Sequence, residues 1–163
     1  MKKIKIVAAV MALLLSSFAC ARNLRTNANA SDQVVTLAYG GIERSYILHV
    51  PASYDESQSV PLVLVFHGGG GKADGIVKTS GFNQLADEKN FIVVYPNGTG
   101  RFGDKILTWN GGTCCGFAAA NNIDDVGFVR ALVANLQSNY KIDAKRTGKA
   151  DRKPIAARTG DES

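Results

Sequence analysis

Short runs of hydrophobic and β-branched residues, separated by glycine, proline and polar residues, divide the middle of the chain. Residues 34–39 and 44–50 are two such runs, and Gly40-Gly41 between them predicts a β-hairpin. Residues 62–66 are all apolar, which predicts a strand buried on both faces of a parallel sheet. Residues 91–95 predict a second buried strand of the same kind.

Two segments have helical character. A short helix is predicted after Ser80, which is a favourable N-cap residue, and Asn90 is expected to end it. A longer helix is predicted from Asp124, because apolar residues recur at helical spacing: Val126, Val129, Leu132, Val133 and Leu136. Asp124 and Asp125 lie at the positive end of this helix dipole, so we interpret both as caps.

The remaining segments carry weaker patterns. Pro96-Asn97-Gly98 is a turn signal that ends the second buried strand. Residues 72–79 are predicted to be irregular, and residues 101–120 are predicted to form a long loop. His49 lies in the second strand of the hairpin and is interpreted as an ordinary edge-strand residue.

The order of these elements, a β-hairpin followed by alternating strands and helices, indicates an α/β fold with parallel βαβ units. The chain has 163 residues, of which 45% are hydrophobic and 20% charged, as in an ordinary globular domain. We place that domain at residues 34–146, after a flexible lead-in at residues 22–33. Residues 147–163 hold one large aliphatic residue, Ile155, and are predicted to be a disordered, aberrant tail.

The N-terminus has the order of a secretory signal peptide. A head with three lysines precedes an apolar centre at residues 6–15, and Ala19-Cys20-Ala21 follows as a cleavage site. We expect residues 1–21 to be removed by cleavage after Ala21, which makes the protein secreted or periplasmic. The alternative is a lipoprotein that is acylated at Cys20, although leucine is missing three positions upstream.

The formal net charge of +5 depends largely on that N-terminal segment. Without its three lysines, 16 basic and 14 acidic residues remain with no basic cluster, so we expect no nucleic-acid partner. Cys114 and Cys115 are adjacent, lack the C-x-x-C spacing of metal sites and have no His nearby. We therefore expect neither a metal nor a cofactor.

The strongest chemical signal is His67 followed by Gly68, Gly69, Gly70 and Gly71, directly after a buried strand. Strand, His and glycines in this order form the oxyanion-loop pattern of α/β-hydrolases. Main-chain N–H groups stabilise the charge on an attacked carbonyl oxygen only where no Cβ blocks their approach. Gly68 and Gly69 are thus the candidate oxyanion donors, with His67, Gly70 and Gly71 as the supporting loop.

Other interpretations of the glycines are weaker. Gly68, Gly70 and Ala73 also match the loose dinucleotide pattern G-x-G-x-x-A, with Asp87 and Glu88 at a tolerable distance for a ribose contact. A phosphate-binding P-loop would need Ser or Thr where Ala73 stands. A nicotinamide-dependent oxidoreductase is disfavoured because the signal peptide leads to a compartment where such cofactors are scarce.

Several stretches together resemble the secreted polyhydroxybutyrate depolymerase and feruloyl esterase family of α/β-hydrolases. The resemblance covers about residues 34–146, and its order is more specific than any single motif. The matching stretches are residues 48–51, 61–71, 81–101 (GFNQLADEKNFIVVYPNGTGR), 108–116 (TWNGGTCCG) and 121–130 (NNIDDVGFVR).

The resemblance implies a serine carboxylic-ester hydrolase, with an acyl-enzyme formed on a Ser in a G-x-S-x-G elbow and a His oriented by Asp. In such a fold the elbow follows the strand expected just after Lys145-Arg146. The sequence contains no Gly-x-Ser-x-Gly, and no His follows His67. We therefore expect the N-terminal half of an α/β-hydrolase fold, truncated before the nucleophile-elbow strand, with no catalytic residue present and no activity.

The resemblance also implies an ester substrate, either a polyester or a feruloylated polysaccharide, and no membrane partner unless Cys20 is lipidated. Trp109 and Asn110, in the predicted loop at residues 101–120, are candidates for the mouth of the substrate site. The alternative function is a secreted non-catalytic module that binds a polymer or a glycan through Trp109.

Overall fold

The computed structural model describes residues 32–112 and 116–150 of the chain. The predicted signal peptide, the cysteines at positions 114 and 115 and the predicted tail beyond residue 150 lie outside the described residues. Within the described part, no helix is both long and apolar enough to cross a bilayer.

The structure has a five-stranded sheet and a separate two-stranded sheet. The strands are β1 (Gln33–Tyr39), β2 (Ile42–His49), β3 (Val60–Val65), β4 (Ile92–Pro96), β5 (Thr99–Gly100), β6 (Gly103–Thr108) and β7 (Ile142–Ala150). The helices are α1 (Ala73–Ser80), α2 (Phe82–Lys89), α3 (Gly116–Ala120) and α4 (Asp125–Asn139).

The large sheet has the order β1-β2-β4-β3-β7, and β5 pairs with β6 in the small sheet. β1 and β2 form the predicted hairpin, and both turn glycines have positive φ, 60° at Gly40 and 77° at Gly41. A two-residue turn with positive φ at both positions matches the right-handed twist of the two strands that it joins. β2 runs antiparallel to β4, whereas β3 is parallel to both β4 and β7. The prediction of a mixed α/β fold with parallel strands is confirmed.

The large sheet is covered on both faces. All five residues of β4 are buried, and successive residues of this strand enter different cores. Ile92 and Val94 belong to the core under α4, which also contains Leu132. Val93 belongs to the core under α1 and α2. This double coverage explains why β3 and β4 are continuous apolar runs in the sequence.

Two segments are more regular than we predicted. Residues 72–79 were predicted to be irregular, yet Ala73–Ser80 is helical and buries only Ala73 and Ile76. The predicted loop at residues 101–120 instead contains strand β6 and helix α3. Both predictions failed because these elements bury few residues, two in α1, two in β6 and one in α3, so each offers only a short apolar signal.

The chain also continues as a strand past the predicted domain boundary at residue 146. β7 pairs in parallel with β3 through Leu62 and Thr147 and ends with Val65 opposite Ala150. The prediction of a disordered tail is therefore wrong for residues 147–150. Composition could not reveal this pairing, because ladder hydrogen bonds to an edge strand use the backbone and do not require apolar side chains.

His49 is not an edge-strand residue, because β2 lies between β1 and β4. Its side chain is buried. Its Nδ1 lies 3.0 Å from an Asp32 carboxylate oxygen, and its Nε2 lies 3.3 Å from one of Asp87. The imidazole therefore connects the start of β1 to α2, which the sequence did not indicate.

Helix α4 provides a test of the core. Leu132 is fully buried, whereas Val126, which we had assigned to the apolar face, is 59% exposed because Phe128 takes the inward position. We expect Leu132→Ala to lower the free energy of unfolding by about 2–5 kcal/mol, since it leaves a cavity. Val126→Ala, the control on the same helix, is expected to change it by less than about 0.5 kcal/mol. Urea denaturation measures both; equal losses would contradict the assignment of the buried face.

Candidate active site

His67 follows β3, and both of its ring nitrogens form hydrogen bonds with backbone groups. Nδ1 lies 2.8 Å from the carbonyl oxygen of Gly68, and Nε2 lies 3.0 Å from the backbone nitrogen of Gly98. Because an N–H must donate to a carbonyl, Nδ1 carries the proton and Nε2 accepts from Gly98. Burial lowers the pKa of His67, which favours this neutral form. Neither nitrogen is available as a general base, so His67 is a structural support of the loop.

Trp109 fixes the same loop from another side. Its indole N–H donates to the carbonyl oxygen of His67 at 3.1 Å. Its ring meets Phe66 edge-on, with 5.2 Å between centroids, and lies 5.1 Å from the imidazole. The half-buried indole therefore makes its contacts with other residues of the chain, and it gives no support to the alternative function of a binding module.

The glycines after His67 leave two backbone donors available. Gly70 donates its N–H to the carbonyl of Leu107 at 2.8 Å, and Gly71 donates to Gly68 at 3.0 Å. Across residues 32–112 and 116–150, the N–H groups of Gly68 and Gly69 have no hydrogen-bond acceptor. Both residues are exposed, and a Cβ at either position would meet nothing within 4 Å. The loop thus presents two neighbouring donors at the carboxyl end of β3.

A buried ion pair lies beneath this loop. Arg44 Nη2 is 2.7 Å from Asp125 Oδ1, and both side chains are almost fully buried. Asp125 Oδ2 accepts from the backbone N–H of Asn110 at 2.7 Å. Asp124, in contrast, is the N-cap that we predicted and accepts from Gly127. The prediction that Asp125 is also only a cap is wrong, because its carboxylate joins β2 to the segment that carries Trp109.

Asn110 is likewise engaged within the protein. Its side-chain amide donates to the carbonyl of Ile123 at 3.0 Å, and its side-chain oxygen accepts from Gly112. The ion pair was missed although one signal was available: Arg44 shares the alternating inward positions of β2 with Tyr46 and Leu48. An arginine at such a position requires a buried partner.

A cavity of about 440 Å³ lies near the loop without including its glycines. Its lining contains Arg44, Leu107, Phe117 and Gly98, the residue whose N–H binds His67. His67, Gly68 and Gly69 are not among the lining residues.

The hydrogen bonds of Ala73 and Asp87 give no support to the dinucleotide interpretation. Ala73 begins α1, but its N–H donates to the side chain of Asn97 at 2.8 Å, so part of the helix N-terminus is already occupied. Asp87 faces His49. In the described residues, no group of three or more His, Cys, Asp or Glu side chains is placed to hold a metal ion.

Comparison with known proteins supports the fold. The family model described as Esterase PHB depolymerase matches residues 44–156. The chain belongs to the esterase PHB depolymerase family. No curated protein sequence matches the chain at a significant level.

Solved structures similar to this member of the esterase PHB depolymerase family are esterases with low sequence identity. LpqC, a poly(3-hydroxybutyrate) depolymerase from Bordetella parapertussis, is 16% identical with a TM-score of 0.55; the match covers 74% of this chain and 42% of that protein. A ferulic acid esterase from Anaeromyces mucronatus is 17% identical with a TM-score of 0.52, covering 80% and 53% respectively. The chain therefore spans about half or less of these relatives.

The chemical state of His67 makes stability depend on pH. Because burial lowers its pKa from 6.5, the unfolded chain binds a proton at this residue more tightly than the folded chain. The resulting stability is fully present above that value and is lost as the pH falls below it. We expect His67→Gln to lose less unfolding free energy than the parent between about pH 7.5 and about pH 5.5. Urea titrations measure this; parallel losses would contradict the neutral assignment.

Proposed function

We propose that the glycine loop is the oxyanion-binding half of the active site of a secreted serine carboxylic-ester hydrolase. The observation that carries this proposal is the pair of N–H groups of Gly68 and Gly69 at the carboxyl end of β3, which have no acceptor among the described residues. An ester carbonyl gains negative charge on its oxygen during nucleophilic attack. Fixed backbone donors stabilise that charge without reorganisation during the reaction.

Three contacts support the rigidity that this role needs. The indole of Trp109 holds the carbonyl of His67, and the imidazole of His67 connects Gly68 to Gly98. The N–H of Gly70 donates a hydrogen bond to the carbonyl of Leu107. The loop is therefore held in one conformation while two of its donors stay available.

The position of the nucleophile is also part of the proposal. Ala150, at the end of β7, lies opposite Val65 at the end of β3. A residue that follows β7 would thus be near the glycine loop, where the family resemblance places the serine elbow. In this sequence the next residues are Asp, Arg and Lys, and no Gly-x-Ser-x-Gly occurs at any position. We infer that the 163-residue chain binds an oxyanion-like group at most and does not turn over esters.

The substrate class and location rest on the relatives and on the N-terminal sequence. A poly(3-hydroxybutyrate) depolymerase and a ferulic acid esterase have the same fold as this chain, so a polyester or a feruloylated polysaccharide is the proposed substrate class. The basic head and apolar centre of residues 1–21 support export by a signal peptide.

The first test is turnover by the purified 163-residue chain. We expect no steady hydrolysis of a p-nitrophenyl ester, because the serine nucleophile and its His base are absent together. Hydrolysis is followed by the release of p-nitrophenolate, with and without a serine-directed inhibitor. Steady turnover that the inhibitor abolishes would refute the proposed inactivity.

The second test isolates the backbone donor at position 69. Residues 34–148 replace the corresponding segment of the Bordetella parapertussis depolymerase, and Gly69→Pro is compared with Gly69→Ala. Alanine keeps the N–H and meets no neighbour, whereas proline removes the donor. We expect kcat to be about 10²–10³-fold lower with proline than with alanine. Circular dichroism confirms folding of both variants, and equal kcat values would exclude Gly69 as an oxyanion donor.

A further inference from the structure

The end of the β5–β6 hairpin is the most exposed apolar feature near the glycine loop. Residues 101–106, here called the hairpin tip, are six consecutive exposed residues. They include Phe102 and Ile106, each with 64% of its surface exposed. Neither side chain contributes to the two buried cores. Large apolar side chains exposed on one short segment are typical of surfaces that bind a partner or a ligand.

The backbone at Ile106 adds a second observation. Ile106 has φ of 52°, and a β-branched residue is a genuine outlier at positive φ. Asparagine or glycine would fit this conformation better. Burial does not compensate the strain, because the side chain points largely into solvent. The backbone strain at Ile106 is therefore accepted in order to keep an apolar side chain exposed. Such strain is common at functional sites.

The hairpin tip contains two cations, Arg101 and Lys105, and one carboxylate, Asp104, so its formal charge is two minus one, or +1. Asp104 lies 3.7 Å from Lys72, so its charge is partly balanced by a residue outside the tip. In the described part of the chain, neither Arg101 nor Lys105 has a carboxylate within ion-pair distance. The tip is thus both apolar and cationic, and its complement is a surface that is both apolar and anionic.

The hairpin is firmly connected to the glycine loop. Leu107, directly after the tip, accepts the N–H of Gly70 at 2.8 Å. Gly100 packs so tightly that a Cβ there would lie 2.4 Å from the carbonyl oxygen of Lys105. The hairpin is therefore hydrogen-bonded to Gly70, the residue that directly follows the two candidate oxyanion donors.

We propose that the hairpin tip is an adsorption site for the surface of a partly hydrolysed polyester. This inference rests on the proposed ester-hydrolase function. Hydrolysis of each ester bond consumes one water and leaves one carboxylic acid, which ionises, and one hydroxyl group. A polyester surface under attack is consequently apolar with anionic chain ends, and it matches Phe102 and Ile106 together with Arg101 and Lys105.

Adsorption of the full 163-residue chain is measured with a quartz crystal microbalance on amorphous poly(3-hydroxybutyrate) films. One film is untreated, and a second is briefly treated with alkali to raise its carboxylate content. We expect stronger adsorption to the treated film and weakening with added salt. Phe102→Ser is expected to weaken adsorption to both films by about tenfold. Val126→Ser, which removes an apolar side chain that is 59% exposed on α4, is the matched control and should adsorb like the parent.

Two further variants separate adsorption from folding and from charge. Ile106→Asn is expected to weaken adsorption while the free energy of unfolding stays equal or rises, because asparagine tolerates positive φ. The double variant Arg101→Gln, Lys105→Gln is expected to lose the preference for the treated film but to retain adsorption to the untreated film. A loss of adsorption with an increase in stability cannot result from unfolding.

Several results would overturn the proposal. No adsorption by the parent, or equal losses in Phe102→Ser and Val126→Ser, would exclude the tip as the adsorption site. Stronger binding to vesicles of phosphatidylglycerol than to either film would assign the tip to an anionic membrane instead. Concentration-dependent dimerisation that Phe102→Ser abolishes would assign it to self-association. Adsorption needs no turnover, so failure here is distinguishable from failure of the position-69 test, which measures kcat on a soluble ester.

Discussion

The buried ion pair of Arg44 and Asp125 is the interaction on which the candidate site depends. The guanidinium lies 3.9 Å over the ring of Phe128 and donates to the carbonyl of Asn97, while the carboxylate accepts from Asn110. Removing two charges from water is costly. Removing one partner of a buried ion pair lowers the free energy of unfolding by about 3–5 kcal/mol, because the other charge is left unpaired in the core. Because Asn97 and Asn110 are directly beside the two residues that hold His67, this pair fixes both supports of the glycine loop at once.

The loop itself combines rigidity with unused hydrogen-bonding capacity. Most exposed backbone groups in a loop bond to water, but a catalytic donor must be fixed in place before the substrate arrives. Here the fixing bonds are made by carbonyl oxygens and by the N–H groups of Gly70 and Gly71. Consecutive glycines therefore have different roles: Gly70 and Gly71 hold the shape of the loop through their N–H groups, whereas the N–H groups of Gly68 and Gly69 remain available to a ligand.

The sequence predicted the parts of the fold that depend on buried side chains. The hairpin, β3, β4 and α4 all have strong apolar patterns, and the two glycines at the hairpin turn were unambiguous. The sequence did not predict α1, β6 or β7, because α1 and β6 bury only two residues each and β7 is held by backbone pairing with β3. For the site, the motif from His67 to Gly71 was identified, whereas the role of Asp125 was not. A carboxylate at a helix start satisfies a capping rule equally well whether or not a distant arginine contacts it.

The parallel pairing of β3 with β7 has a consequence for the order of assembly. The hairpin and the βαβ unit of β3 and β4 join segments that are near in sequence, so they can form early as the chain leaves the ribosome. β7 reaches its place beside β3 only after α4 has been synthesised. Until then one edge of β3 has no partner, and the nascent chain is most exposed to wrong pairing during that interval.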